Sequence, residues 1–201
     1  MDVLVPFAAR EPKTRLAGTL DADERAAFAR AMLLDVCDAA EAAGGEPTVL
    51  ATEPLAIEQP VIVDERPLTP AIDAHLSPPA AVVMADLALA TPAALRRLFE
   101  TTGDVVIAPG LGGGTNALVV RADGFTVDYH GTSVRDHRRT AEGAGIDARS
   151  VDSFRLAVDI DEPTDLAEVL LHGDGRSADW LKNAGFRLAE TDGRTTVERR
   201  G

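Results

Sequence analysis

The segment VVIAPGLGGGTNALVV, residues 105–120, constrains the fold more than any other part of this chain. Two apolar runs rich in β-branched residues, 105–108 and 117–120, flank four glycines and the polar pair Thr115 and Asn116, a pattern that reads as strand, tight curve, strand. Glycine permits positive φ or close approach of a ligand to the main chain, and successive amide N–H groups in such a curve can hold an anion. A Gly-rich hairpin without a ligand fits the same residues, so an anion site and an empty turn both stay open at this point.

The flanking sequence supplies the rest of an α/β domain. Residues 3–5, VLV, open as a buried strand that stops at Pro6, and Asp21 with Glu24 can cap a helix that Gly44 and Gly45 end. Residues 47–51 and 60–64 are short strand candidates, Pro67 and Pro70 bracket a turn into a brief helix near 71–76, and residues 80–85, AAVVMA, read as a central strand buried on both faces. Thr91 caps and Pro92 begins the next helix. Beyond the glycine segment, residues 125–129 read as a short extended piece, Ser133 as the cap of a helix through 142, and residues 156–160 as the last strand, followed by a helix from Pro163 and Asp165 to 171. The tail holds a short helix near 178–183 and a hairpin around Asp192 and Gly193. One domain over residues 1–171, with 172–201 as an appendage of it, accounts for the chain.

Composition narrows the function. Apolar residues at 45% and charged residues at 26% are a globular balance, and no apolar run approaches a membrane span or a secretory leader, so the expected location is cytoplasmic, with no membrane partner. The net charge of −13 repels nucleic-acid backbones, and no aromatic-basic interleaving offsets it. Acidic excess with lysine only at 13 and 182 suggests adaptation to a salt-rich cytoplasm, where salt screens the repulsion. Cys37, the only cysteine, excludes an intrachain disulfide and a thiolate cluster.

Three groups of residues carry candidate chemistry. Lys13 and Arg15 fall just beyond the carboxyl end of the first strand, where open α/β sheets bind ligands, and two cations there suit phosphate. Asp86 ends the central strand at the same edge, a common position for a divalent cation. Asp159 and Asp161 alternate along the last strand and so face one side. Three carboxylates, a basic loop and a Gly-rich curve together point to Mg²⁺-dependent phosphate chemistry. His137 reads equally as a hydrogen-bonded or a catalytic histidine, and the four histidines never recur at metal-binding spacing.

Over about residues 3–171 the chain resembles the 2-phospho-L-lactate guanylyltransferase family, some members of which are described by phosphoenolpyruvate guanylyltransferase activity. The likeness rests on VPFAAREPKTRLA (5–17), DADERAAFARAML (21–33), MAD (84–86), GGTNAL (113–118), GTSVRDH ending at His137, and DIDEPTDL (159–166). It implies a three-layer nucleotidyltransferase domain with a mixed central sheet, similar to glycosyltransferase A-type folds. It further implies a homodimer that transfers GMP from GTP to 2-phospho-L-lactate or phosphoenolpyruvate, releasing pyrophosphate, in coenzyme F-420 biosynthesis.

By the same resemblance Asp86, Asp159 and Asp161 would hold Mg²⁺, and Lys13 and Arg15 would neutralise the GTP phosphates. Gly114, Thr115, Asn116, Gly131 and Ser133 would bind the phosphorylated three-carbon acid. Ala8 stands where the family commonly has lysine, DLALA (86–90) replaces DLPLL, and PLT (67–69) only partly matches the family's nucleotide loop. His130 replaces a family-like glycine, with Gly131 next to it. A nucleotidyltransferase for a sugar phosphate or a molybdopterin cofactor, and a non-catalytic nucleotide-binding protein, are the alternative readings of the same residues.

Overall fold

A computed structural model describes residues 1–191 and 193–200. The elements run β1 (Asp2–Phe7), α1 (Ala22–Ala42), β2 (Glu46–Ala51), β3 (Val61–Val63), α2 (Leu68–His75), β4 (Ala80–Val83), α3 (Pro92–Glu100), β5 (Val105–Pro109) and β6 (Thr115–Val120). They continue with α4 (Ser133–Ala144), β7 (Ala148–Ser150), α5 (Phe154–Ala157), α6 (Leu166–His172), α7 (Arg176–Asn183), β8 (Phe186–Thr191) and β9 (Arg194–Arg199). Single 3₁₀ turns stand at Thr14–Leu16 and Pro163–Asp165. Among the described residues no helix is long and apolar enough to cross a membrane.

Seven strands form one mixed sheet in the order β3-β2-β1-β4-β6-β5-β7. β1 pairs parallel with β2 and β4, β2 with β3, and β5 with β7, whereas β6 is antiparallel to both β4 and β5. One reversed strand has a direct consequence for function. The curve between β5 and β6 emerges at the edge where β1 and β4 end, so the glycine segment, the loop after β1 and Asp86 share one side of the sheet.

The strands read as continuous apolar runs because both sheet faces are covered. Val3, Val5, Val106, Ala108, Ala117 and Val119 pack on one face with Leu33, Val36 and Cys37 of α1 and Leu95 and Leu98 of α3. Their neighbours Leu4, Val105, Ile107, Leu118 and Val120 pack on the other with Ile72 of α2 and Val134 and Ala141 of α4. Alternate side chains of a strand point to opposite faces, and this sorts the residues into a three-layer domain. A third cluster gathers Leu16, Phe28, Met32, Ile160, Leu166, Leu181 and Phe186, and so joins the C-terminal elements to α1 and the loop after β1.

Helix ends follow local rules. Asp21 accepts from the Glu24 amide at 2.9 Å while Glu24 accepts from the Asp21 amide at 3.0 Å, a reciprocal cap. Thr91 accepts from the Ala94 amide at 3.3 Å, ahead of Pro92 at the first helical position.

Three local expectations are corrected. Residues 156–160 are not a strand: the chain turns at Ser153 into the single helical turn α5, and Val158 and Ile160 run irregularly, with one main-chain bond from the Ile160 amide to Asp86 O at 3.2 Å. The place beside β5 is taken by β7, so the apolar spacing of Leu156, Val158 and Ile160 records burial rather than sheet pairing. Residues 125–129 pair with no strand. Their amides bond instead to side chains, Val127 N–H to Asp73, Asp128 N–H to His137 and Tyr129 N–H to Thr69. Ser133 does not cap α4, because Thr132 holds the cap position, without a side-chain bond, and Ser133 is already helical. The tail contains the helix α7 and the antiparallel pair β8 and β9, while Asp192 of the expected turn lies outside the described residues.

Candidate active site

The loop after β1 folds back over the sheet edge by way of two left-handed, non-glycine residues, Glu11 at φ 45° and Lys13 at φ 53°. Such φ values are uncommon for side-chain-bearing residues and persist where surrounding bonds enforce them. At Lys13 the side chain is held by ion pairs. The Lys13 ammonium donates to Asp86 Oδ2 at 2.8 Å and to Asp161 Oδ1 at 2.7 Å, and Arg15 Nη1 stands 3.5 Å from Asp161 Oδ2. Lys13 is 11% exposed, so burial disfavours its charge, but the two carboxylates outweigh that effect and raise its pKa. It stays an ammonium throughout the neutral range.

Asp159 belongs to the same centre by a different bond. Asn116 Nδ2 donates to Asp159 Oδ1 at 3.2 Å. Burial raises the Asp159 pKa, the Asn116 bond opposes it, and the charges of Asp86 and Asp161 raise it further. Asn116 can lie there because residue 110 is glycine: a Cβ at Gly110 would stand 2.4 Å from Asn116 Oδ1.

The curve from Gly110 to Gly114 closes on itself through Gly110 N–H to Gly114 O at 2.8 Å and Gly113 N–H to Gly110 O at 3.1 Å, with Gly113 at φ 85°. It is fastened to the start of α4: the Thr115 amide donates to Ser133 Oγ at 2.7 Å, and Val134 N–H bonds Gly113 O at 3.3 Å. Gly131, at φ 55°, turns the chain into that helix. Thr115 Oγ1 lies 2.8 Å from His137 Nδ1, and His137 Nε2 accepts the Asp128 amide at 2.9 Å. Since Nε2 accepts, the neutral ring carries its proton on Nδ1 and donates it to the threonine oxygen. His137 is fully buried, which pushes its pKa down to about 4 against the pull of Asp128, Asp136 and Asp73. It is a structural group under the curve. The hydroxyl hydrogens of Thr115 and Ser133 are left over by these bonds, because both oxygens act as acceptors in them.

A cleft of about 460 Å³ opens over the carboxyl ends of β1, β2, β3 and β4. Lys13, Arg15, Asp86 and Asp161 line it; Gly114, Thr115, Asn116, Gly131, Ser133 and Asp159 do not. The sequence-derived residues therefore fall into a cation and carboxylate group on the cleft and a hairpin group behind it, linked by Asn116 and Asp159. Sequence reasoning missed the far wall of the cleft, Thr52, Asp64, Arg66 and Leu68. Its one sequence signal was the PLT segment beginning at Pro67.

Among the described residues no three His, Cys, Asp or Glu side chains converge as a metal cage, since Lys13 is inserted between Asp86 and Asp161. Asp86 Oδ1 is nevertheless buried without a hydrogen-bond partner. A hard oxygen of this kind suits Mg²⁺, which is commonly held by one or two carboxylates together with substrate phosphates.

A mixed sheet with helices on both faces, a cleft at the strand ends and a lysine-carboxylate centre on its wall is the architecture of a nucleotidyltransferase-type domain. A solved nucleotidyl transferase from Methanothermobacter shares this fold, with a TM-score of 0.61 over 90% of this chain and 98% of its own at 16% identity. The chain belongs to the family described as guanylyl transferase CofC like, whose model matches residues 1–200. It is 96% identical to a 2-phospho-L-lactate guanylyltransferase of Natronomonas pharaonis over the whole of both chains. To the enzyme of that name from Halomicrobium mukohataei it is 63% identical, over 99% of this chain and 100% of the relative.

Proposed function

We propose that this protein transfers GMP from GTP to the phosphate of 2-phospho-L-lactate and releases pyrophosphate, a step of coenzyme F-420 biosynthesis. The observation that carries this reading is the Lys13 ammonium between Asp86 and Asp161 on the wall of the cleft, in a chain so close to a relative of that name. An oxygen of the acceptor phosphate attacks the α-phosphorus of GTP, and the bond from that phosphorus to the oxygen bridging to the β-phosphate breaks. The nucleophile is already ionised near neutral pH, so no general base is required. Rate acceleration comes from alignment and from charge placed where the leaving group develops it.

Lys13 and Arg15 supply positive charge to the GTP phosphates. Asp86, through its unpartnered Oδ1, with Asp159 and Asp161, would hold Mg²⁺, which supplies further charge neutralisation when bound. Thr115 and Ser133, with Gly114, Asn116 and Gly131 shaping the curve, would form the wall on the side of the acceptor acid. A cytoplasmic, salt-adapted homodimer completes the reading. Sedimentation in concentrated KCl tests the dimer, which a monomer mass would refute.

The deciding experiment is pyrophosphate release with GTP or ATP crossed with 2-phospho-L-lactate, phosphoenolpyruvate and 3-phosphoglycerate. Release that requires GTP and is fastest with 2-phospho-L-lactate is expected. Faster turnover of phosphoenolpyruvate would reassign the acceptor, and no release with any pair would overturn the reading.

A further inference from the structure

The cleft has a second polar cluster, opposite the one that holds Lys13. Asp64 follows β3 directly, and Asp86 stands in the turn just beyond β4, at the same edge of the sheet. With β2 and β1 between them, the strands β3 and β4 lie three strand spacings apart, roughly 14 Å. Both clusters line the same cleft, so a nucleoside triphosphate whose phosphates met Lys13 would have room to lay its base against Arg66, Pro67 and Leu68 beside Asp64.

This cluster is braced. Asp64 Oδ1 accepts from the Arg66 amide at 2.9 Å, and the Arg66 side chain is bound edge-on: Nε lies 2.9 and 3.0 Å from the two carboxylate oxygens, and Nη2 also bonds Oδ2. His75 of α2 holds the same Oδ2 through Nε2 at 2.9 Å. Asp64 is 9% exposed and Arg66 50% exposed, and both line the cleft, so the carboxylate is the buried partner and the guanidinium the accessible one. A guanidinium is planar with two donor edges. Asp64 occupies the Nε and Nη2 edge, and among the described residues Nη1 makes no hydrogen bond, which leaves the Nη1 and Nη2 edge free.

That free edge matches one base. Guanine presents O6 and N7 as adjacent acceptors and is bound bidentately by arginine, whereas adenine sets an amino donor beside N7 and would oppose one of the two N–H groups. We propose that Arg66 selects guanine by donating Nη1–H and Nη2–H to O6 and N7, with Asp64 and His75 as positioning residues that aim it. This rests on the guanylyl-transfer reading and assigns its base specificity to residues none of the family motifs contains.

Calorimetric binding of GTP, ITP, 7-deaza-GTP and ATP tests the proposal. ITP keeps O6 and N7 but lacks the 2-amino group, so the unmodified protein should bind it within about 3-fold of GTP, while 7-deaza-GTP should bind about 10-fold more weakly. Arg66→Ala should lose about 10- to 100-fold in GTP affinity with ATP unchanged, and Asp64→Asn should give an intermediate loss. Rejection of ITP with full acceptance of 7-deaza-GTP, measured without any substitution, would move the readout to the Watson–Crick edge and overturn the proposal. So would an Arg66→Ala protein that still melts cooperatively and keeps its preference for GTP over ATP. Failure of GTP to bind the unmodified protein would overturn the guanylyl reading itself, an outcome distinct from GTP binding whose selectivity ignores Arg66.

Discussion

The Thr115 hydroxyl oxygen sits 2.8 Å from Nδ1 of His137, with both side chains buried. Thr115→Val removes the acceptor and leaves an Nδ1–H without a partner in the interior, which should cost about 1–3 kcal/mol. Thr115→Ser should recover most of that. Urea melts at neutral pH check the pair, and equal midpoints for the valine and serine proteins would refute it.

His137 also makes an acid-sensitive window. Its folded pKa is lowered from 6.5 to about 4, chiefly by burial. Between these values the unfolded chain binds a proton at this position that the folded chain refuses, so stability is retained above pH 6.5 and falls as pH drops toward 4, by about 3 kcal/mol at most. A His137→Gln protein, although less stable at neutral pH, should show a shallower decline over this range. Parallel melting curves for the two proteins from pH 7 to 4.5 would count against it.

Asp86→Asn and Asp161→Asn should each lower turnover by 100-fold or more, on the order expected for removing a charge that acts on the transition state. Asp161 is 39% exposed, so its replacement should change stability by only about 1 kcal/mol. Chelation of divalent cations should abolish turnover and Mg²⁺ should restore it. Turnover near the unmodified level in both variants would remove these carboxylates from the chemistry.

Gly110→Ala tests the support behind the centre. The new Cβ would stand 2.4 Å from Asn116 Oδ1, so Asn116 must move and its bond to Asp159 is lost. A destabilisation of about 1–3 kcal/mol, together with reduced turnover, is expected from overpacking at this point. A protein that melts and turns over normally would show that Asn116 does not position Asp159.

Asp35 of α1 caps α7 from a distance of 141 residues in sequence, accepting from the Arg176 amide at 2.7 Å, the Ser177 amide at 2.9 Å and the Ser177 hydroxyl at 2.6 Å. Asp35→Ala should cost about 1–2 kcal/mol and speed hydrogen exchange in α7 before the sheet is affected. Unchanged exchange there would show that Ala178 and Leu181 anchor the helix alone.

Local chemistry made a good part of the molecule legible. The caps at Asp21 and Thr91, the strands around the glycine curve, and the side of the sheet on which Lys13 and Asp86 lie all follow from neighbouring residues, because capping, alternation and glycine geometry act over a few positions. The 156–160 segment misled for the same reason. Apolar alternation reports that side chains are buried, and it cannot tell a strand from a packed irregular run when β7 already fills the sheet position.

What the sequence determined, then, was a set of elements and an inventory of charges: alternating strands and helices, a glycine curve between two strands, two cations and three carboxylates. Only the tertiary structure decided how they meet. Lys13 lies 73 residues from Asp86 and 148 from Asp161, and Ser133 lies 18 residues beyond the Thr115 amide that it accepts from. Such bonds depend on the order and direction of strands, above all on the single reversed strand β6, and on which buried groups must find partners once water is excluded. The glycine curve is therefore tied down by Ser133 and stands next to the threonine-histidine pair, while the open cleft belongs to Lys13, its two aspartates and Arg66.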